Sequence, residues 1–181
     1  DNKPQKSGII SARNVCFELS KKLGYKYFLE LDDDYISFEF RMVKDSKLKG
    51  YKIKNLSPLL KASIDFMESS KIDCFAWAQG GDLIGGAQSN VVKKGWKRKA
   101  MNFIFFKSTS EIRFSGRINE DVNMYVHNGK QGKLILTNSL VSLNQKQTQT
   151  NKKGMTDLYN ENGTYLKSMY SVIKEPPIVS L

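Results

Sequence analysis

Three consecutive carboxylates, Asp32, Asp33 and Asp34, end the apolar run of YFLELDDDY. Like charges crowded at a strand end cost stability unless a cation or hydrogen-bond donors offset them. The triplet is therefore a candidate metal site, with an acidic solvated turn as the alternative. Open α/β sheets bind ligands beyond the carboxyl ends of their strands, which is where this cluster would fall. A second acidic pair, Glu120 and Asp121 in RFSGRINEDVNMY, lies in the first turn of a predicted helix, where acidic groups suit the helix dipole. Read alone, that pair is an ordinary helix start. In QGGDLIGGAQ, Gly80 and Gly81 open a loop whose backbone could approach a ligand closely. No phosphate-loop Lys follows them, and an ordinary glycine-rich loop is the alternative. Lys93, Lys94, Lys97, Arg98 and Lys99 surround Gly95 and Trp96. Such a patch can hold a nucleic-acid backbone and stack a base, or form a basic hairpin turn between two strands.

These residues need elements to position them. SGIISARNVCFELSKKL places Ala12, Cys16, Leu19 and Leu23 at helical spacing, with Ser7 or Ser11 as N-cap and Gly24 as a stop. A tight turn leads from that helix into the strand that ends in the triplet. FEFRMV at 38–43 alternates as a strand, and KLKGYKIKNL reads as a hairpin turned at Gly50. Ser57 is the expected cap of a helix beginning at Pro58, with Leu60, Ile64 and Met67 on one face. Residues 72–78 and 101–106 read as buried strands, 133–138 and 140–145 as two more, and 164–174 as a helix with Leu166, Met169, Tyr170 and Ile173 on one side. The polar stretch 145–156 is a loop or a lid in which Lys152, Lys153 and Gly154 could meet phosphates.

Together, GIISARNVCFELSKKLGYKYFLELDDDY resembles the GT-A glycosyltransferase stretch in which an Ala-Arg-Asn helix leads into a strand ending in an Asp-x-Asp motif. GRINEDVN, with the stretch from Ser139 to Pro176, is similar to the TET-associated glycosyltransferases of phages and bacteria, inferred to glycosylate hydroxylated bases in DNA. The resemblance implies an α/β fold with a GT-A-like mixed sheet flanked by helices, and an inverting, nucleotide-sugar-dependent enzyme. It implies that Asp34, with Asp32, holds Mn²⁺ or Mg²⁺ against the donor diphosphate. Asp32 would face the nucleoside or ribose side of the donor, Asp33 would be a further donor-binding residue, Arg13 and Asn14 would lie near the donor pocket, and Gly80 and Gly81 would line the donor-sugar or acceptor site. Asp121 would be the base, and Glu120 would orient it or the acceptor. If the acceptor is a base flipped out of DNA, Trp77 and Trp96 are candidates to stack on it. Lys94, Trp96, Lys97, Arg98, Lys99 and Lys153 are then the candidate nucleic-acid contacts. A polysaccharide or lipid-linked acceptor, or a non-catalytic basic nucleic-acid-binding module, are the competing readings. GT-A domains open with a nucleotide-binding βαβ portion, whereas here the acidic cluster arrives at position 32. The expectation is thus one domain over 1–181 that forms the C-terminal portion of a longer catalytic unit.

Composition fits one domain: 181 residues, 40% hydrophobic, with no membrane-length apolar run and no signal-peptide core. A cytoplasmic protein is expected. The net charge of +11, from 29 Lys and Arg against 18 Asp and Glu, attracts polyanions. Cys16 and Cys74 are expected as reduced core residues, and the single histidine, His127, as a helix C-terminal or surface residue.

Overall fold

The computed structural model describes residues 8–45, 47–81, 84–95, 99–101, 103–116, 118–146 and 156–179. It is a mixed α/β fold. In chain order the elements are α1 (Ile9–Lys22), β1 (Tyr27–Glu30), β2 (Tyr35–Lys44), β3 (Lys47–Lys52), α2 (Ser57–Ser70), β4 (Cys74–Gln79), α3 (Asn90–Lys93), β5 (Ile104–Lys107), α4 (Glu120–Lys130), β6 (Ile135–Gln145) and α5 (Thr156–Lys174). Six strands form one sheet in the order β1-β5-β4-β6-β2-β3. The β4–β6 pairing is parallel and the rest are antiparallel.

Strand alternation divides the core in two. Cys74 and Ala76 of β4, with Ile104 and Phe106 of β5, meet Phe17 of α1 and Met124 of α4 on one face. Phe75 and Trp77, with Phe103 and Phe105, meet Met67 of α2 on the other. Successive strand side chains point to opposite faces, so a continuous apolar run such as CFAWA serves both layers at once. Trp77 is 1% exposed, stacks on Phe103 at 4.3 Å and donates its indole N–H to Ser63 Oγ at 3.0 Å. It is a core residue and cannot stack on a flipped base.

Several local expectations change. The helical stripe of Ala12, Cys16, Leu19 and Leu23 does not face the core: α1 buries Arg13, Phe17 and Ser20 instead, and Cys16 is half-buried. Cys74 is buried as expected, and both cysteines are free thiols. Gly8 is the N-cap of α1 and makes no side-chain bond, while Gly24 at φ 75° ends the helix as read. The hairpin turns at Asp45, φ 53°, and Gly50 lies inside β3 opposite Arg41. Leu56, not Ser57, is the N-cap of α2, with Asn55 Oδ1 accepting the Ser57 N–H. The two strands read over 133–145 are one strand, β6, whose register with β4 jumps between Trp77 and Ala78. Helix α5 starts at Thr156, and Leu166 and Ile173 on its expected inner face are exposed.

Candidate active site

β1, β4 and β6 run in one direction, so their carboxyl ends lie on the same side of the sheet. Glu30 closes β1, and two residues on comes Asp32. Glu30 shares the α1 face of β1 with Phe28. There Arg13 meets it: Nη1 lies 3.3 Å from Glu30 Oε2, and Nη2 lies 3.0 Å from Asp32 Oδ1. The same Nη2 is 3.7 Å from Glu120 Oε1. One guanidinium thus ties the strand-end carboxylate to the first turn of α4, and the two acidic motifs of the sequence become one site. A planar fork with several donors suits this task better than a lysine point charge. The guanidinium also lies 5.1 Å from the Phe114 ring centroid.

The loop after β1 is held on its other side. The Asp32 N–H donates to Tyr35 Oη at 3.0 Å, and the Lys146 N–H donates to the Asp34 carbonyl at 3.1 Å. Gln145 Nε2 reaches Asp34 Oδ2 at 3.4 Å, while Asp34 Oδ1 is buried without a hydrogen-bond partner. Asp33 is exposed. Asn14, next to Arg13, clamps the Phe114 backbone by accepting its N–H and donating to its carbonyl, both at 2.9 Å. The Asn14 amide is thereby committed to fixing the segment that leads to α4. Asp121 is 7% exposed, and its Oδ1 accepts the Val122 N–H at 2.8 Å.

Burial dominates the electrostatics. It lifts the Glu30 carboxyl to about 7 despite Arg13, and Asp32 adds to the rise. Asp32 is also pushed up, by burial first, with Arg13 opposing and the charges of Asp34 and Asp121 adding to it. Glu120 rises through burial and then Asp121, against Arg13 and Lys167. Arg13 is held in its charged form because Asp32, Glu120 and Glu30 together outweigh its desolvation. Desolvation is thus the first cause of the rise in each of the three carboxylates.

The same acidic groups bear on a metal. Among the described residues no three His, Cys, Asp or Glu side chains form a ready cation cage. Asp32 and Asp34 nevertheless offer hard oxygens, including the orphaned Asp34 Oδ1. One or two carboxylates completed by water and substrate phosphates is the usual Mg²⁺ arrangement. The donor set fits.

Other predicted residues fall elsewhere or take structural roles. Gly80 directly follows β4, where a Cβ would strike the Asn144 side chain, and Arg41 Nη2 donates to the Gln79 and Gly80 carbonyls at 2.9 and 2.8 Å. Close packing accounts for that glycine, whereas nothing lies within 4 Å of a Cβ at Gly81. The basic patch is not a strand-to-strand hairpin: Lys93 ends α3, Lys94 is its C-cap and Lys99 is exposed. Trp96, Lys97, Arg98, Lys152, Lys153 and Gly154 lie outside the described residues. His127 sits in the last turn of α4, half exposed, with Nδ1 2.8 Å from Glu175 Oε1. Sequence reasoning missed Glu30, Tyr35 and Gln145. Glu30 had a signal, since a strand side chain two residues before Asp32 shares its face.

Compared with known protein families, residues 1–154 match the sequence model described as TET-Associated Glycosyltransferase, and α5 lies beyond that match. No curated protein and no solved structure matches the chain.

Proposed function

We propose, from the premise that this chain belongs to the TET-associated glycosyltransferase family and is a glycosyltransferase, that it moves a sugar from a nucleotide-sugar to a hydroxymethylated base in DNA. One observation carries the site assignment: Arg13 joins Asp32 and Glu120 across the cluster. Asp34, with Asp32, would hold Mn²⁺ or Mg²⁺. Such a cation would supply positive charge against that growing on the departing nucleoside diphosphate. Arg13 keeps Asp32 ionised and aimed. Asp121 accepts the proton of the acceptor hydroxyl as that oxygen attacks the anomeric carbon from the face opposite the leaving group, which inverts the centre. Glu120, at the rim of the same cluster, orients the acceptor. The DNA assignment is supported by the net charge of +11 and by the family to which the chain belongs. Among the described residues no helix is long and apolar enough to cross a membrane.

Two measurements on the protein and its variants test this. In calorimetric titration, Mn²⁺ should bind wild type and not Asp34→Ala; equal binding by both removes the metal role. In transfer assays with labelled nucleotide-sugars, Asp121→Asn should keep donor binding and lose roughly 10² to 10⁴ in turnover on hydroxymethylated DNA. Transfer to oligosaccharide or lipid-linked acceptors in preference to DNA would overturn the acceptor.

A further inference from the structure

The acidic pair stands on a junction that α4 does not hold by itself. Asn119 is the N-cap of α4, yet its backbone is left-handed at φ 60° and ψ 42°, and its side chain makes no capping bond. Side chains with a Cβ enter this region at a cost, so something must hold it there. The Asn119 amide crosses to α5 and donates to Ser171 Oγ at 2.7 Å, with both residues buried. Beside it Gly116, at φ 92°, has no room for a Cβ, which would strike the Asn123 amide and lie 3.1 Å from the Tyr170 ring. One turn beyond Ser171, Glu175 meets His127 Nδ1 at 2.8 Å and Lys130 Nζ at 3.2 Å. Helix α5 therefore grips both ends of α4.

We infer that Ser171 is a positioning residue for the transfer reaction: its hydroxyl, bonded to the Asn119 amide, fixes the left-handed N-cap from which Glu120 and Asp121 enter the acidic cluster. The inference rests on the reading of Glu120 and Asp121 given above. Without Ser171 the Asn119 amide has a ready alternative, which is to turn back in the ordinary extended conformation and compete for the first-turn N–H groups of α4, among them the Val122 N–H that Asp121 Oδ1 accepts. That would re-aim the first turn. A misplacement of about 1 Å far from the chemistry can cost on the order of 10²-fold in rate. The donor carboxylates Asp32 and Asp34 follow β1 and keep their own contacts with Arg13, Tyr35 and Gln145, so donor binding should change least.

Steady-state kinetics with the donor varied at saturating acceptor tests the assignment. Ser171→Ala should lower kcat by roughly 10- to 100-fold and leave the donor KM unchanged. Asn119→Gly is the decisive partner, because glycine tolerates the left-handed backbone without strain but, with the tether gone, nothing holds it there. It should fold and lose kcat to a similar extent. The double variant should lose no more than either single, since both remove the same bond. Wild-type kcat in Asn119→Gly overturns the inference, as does a double variant whose loss is the product of the two singles. If Ser171→Ala melts out, Asn119→Gly decides alone. Full rates in Ser171→Ala and Asn119→Gly, with Asp121→Asn inactive, defeat the inference and leave the functional reading standing. An inactive wild type defeats that reading and the inference with it.

Discussion

Helices α1 and α2 have the same length, 14 residues, and lie on opposite faces of the same sheet, but they bury opposite kinds of surface. Helix α2 behaves as an amphipathic segment should: Met67 is buried, Leu59 and Leu60 pack beside it, and Ser63 receives the Trp77 indole. Helix α1 turns Arg13, Phe17 and Ser20 inward and leaves Val15, Leu19 and the capping Leu23 at 58%, 49% and 59% exposure. Apolar area alone would have rotated α1 the other way. What sets its orientation is one aromatic in the core together with a guanidinium that faces three carboxylates. The α2 face is built to hold the sheet together. The α1 face also concentrates charge where a ligand would bind, and it is stable only as a neutralised group.

The sharpest way to break this comparison is to remove one anchor from each side. Arg13→Met leaves Glu30, Asp32 and Glu120 buried without their cation, which should cost about 3–5 kcal/mol at neutral pH and abolish transfer. Met67→Ala should cost a comparable 2–5 kcal/mol through its cavity. Urea unfolding at pH 5 and pH 7.5 separates the two. The Arg13→Met deficit should shrink at pH 5, where the Glu30 carboxyl holds its proton, while the Met67→Ala deficit should stay constant. A deficit of Arg13→Met that is flat with pH would mean that its cation is not what holds the carboxylates.

Glu30 sharpens the same point with a smaller effect. Its carboxyl is raised from 4.5 to about 7 by burial, so the folded state binds a proton that the unfolded chain releases between those values. Stability from this group is therefore fully present below pH 4.5 and is lost as pH rises through 7. At about 1.4 kcal/mol per pH unit, the fall across that window is on the order of 3 kcal/mol. Glu30→Gln should remove the slope, measured as unfolding free energy against pH. An unchanged slope would place the proton on another group of the cluster.

The difference between the helices also explains what the sequence could tell. Local signals sufficed for α2, β1, β2 and β4, because runs such as YFLE and CFAWA carry their own periodicity or apolar length. Asp32, Asp34, Glu120 and Asp121 were legible as residues. Their assembly was not, since Arg13 joins partners distant in sequence and Ser171 meets Asn119 from 52 residues away. The orientation of α1 was misread for the same reason: its leucines state a preference that only the carboxylates of β1 and α4 could override. Tyr35 and Gln145 gave no signal, because their roles come from where β2 starts and β6 finishes beside the acidic loop.

The smallest predicted effect tests that override directly. If Val15 and Leu19 were core residues, polar replacement would cost the 2 kcal/mol or more typical of buried aliphatic positions. At 58% and 49% exposure they should behave as surface positions, and Val15→Gln and Leu19→Gln should each change the unfolding free energy by no more than about 0.5 kcal/mol. Phe17→Ala, two residues from each and fully buried against Phe28 and Phe106, should cost about 3–5 kcal/mol. Transfer should survive both glutamine changes, because neither side chain takes part in the Arg13 cluster. A loss of 2 kcal/mol or more from Leu19→Gln would mean that α1 presents its leucine stripe to a partner surface in solution, and that its orientation is set by apolar burial after all.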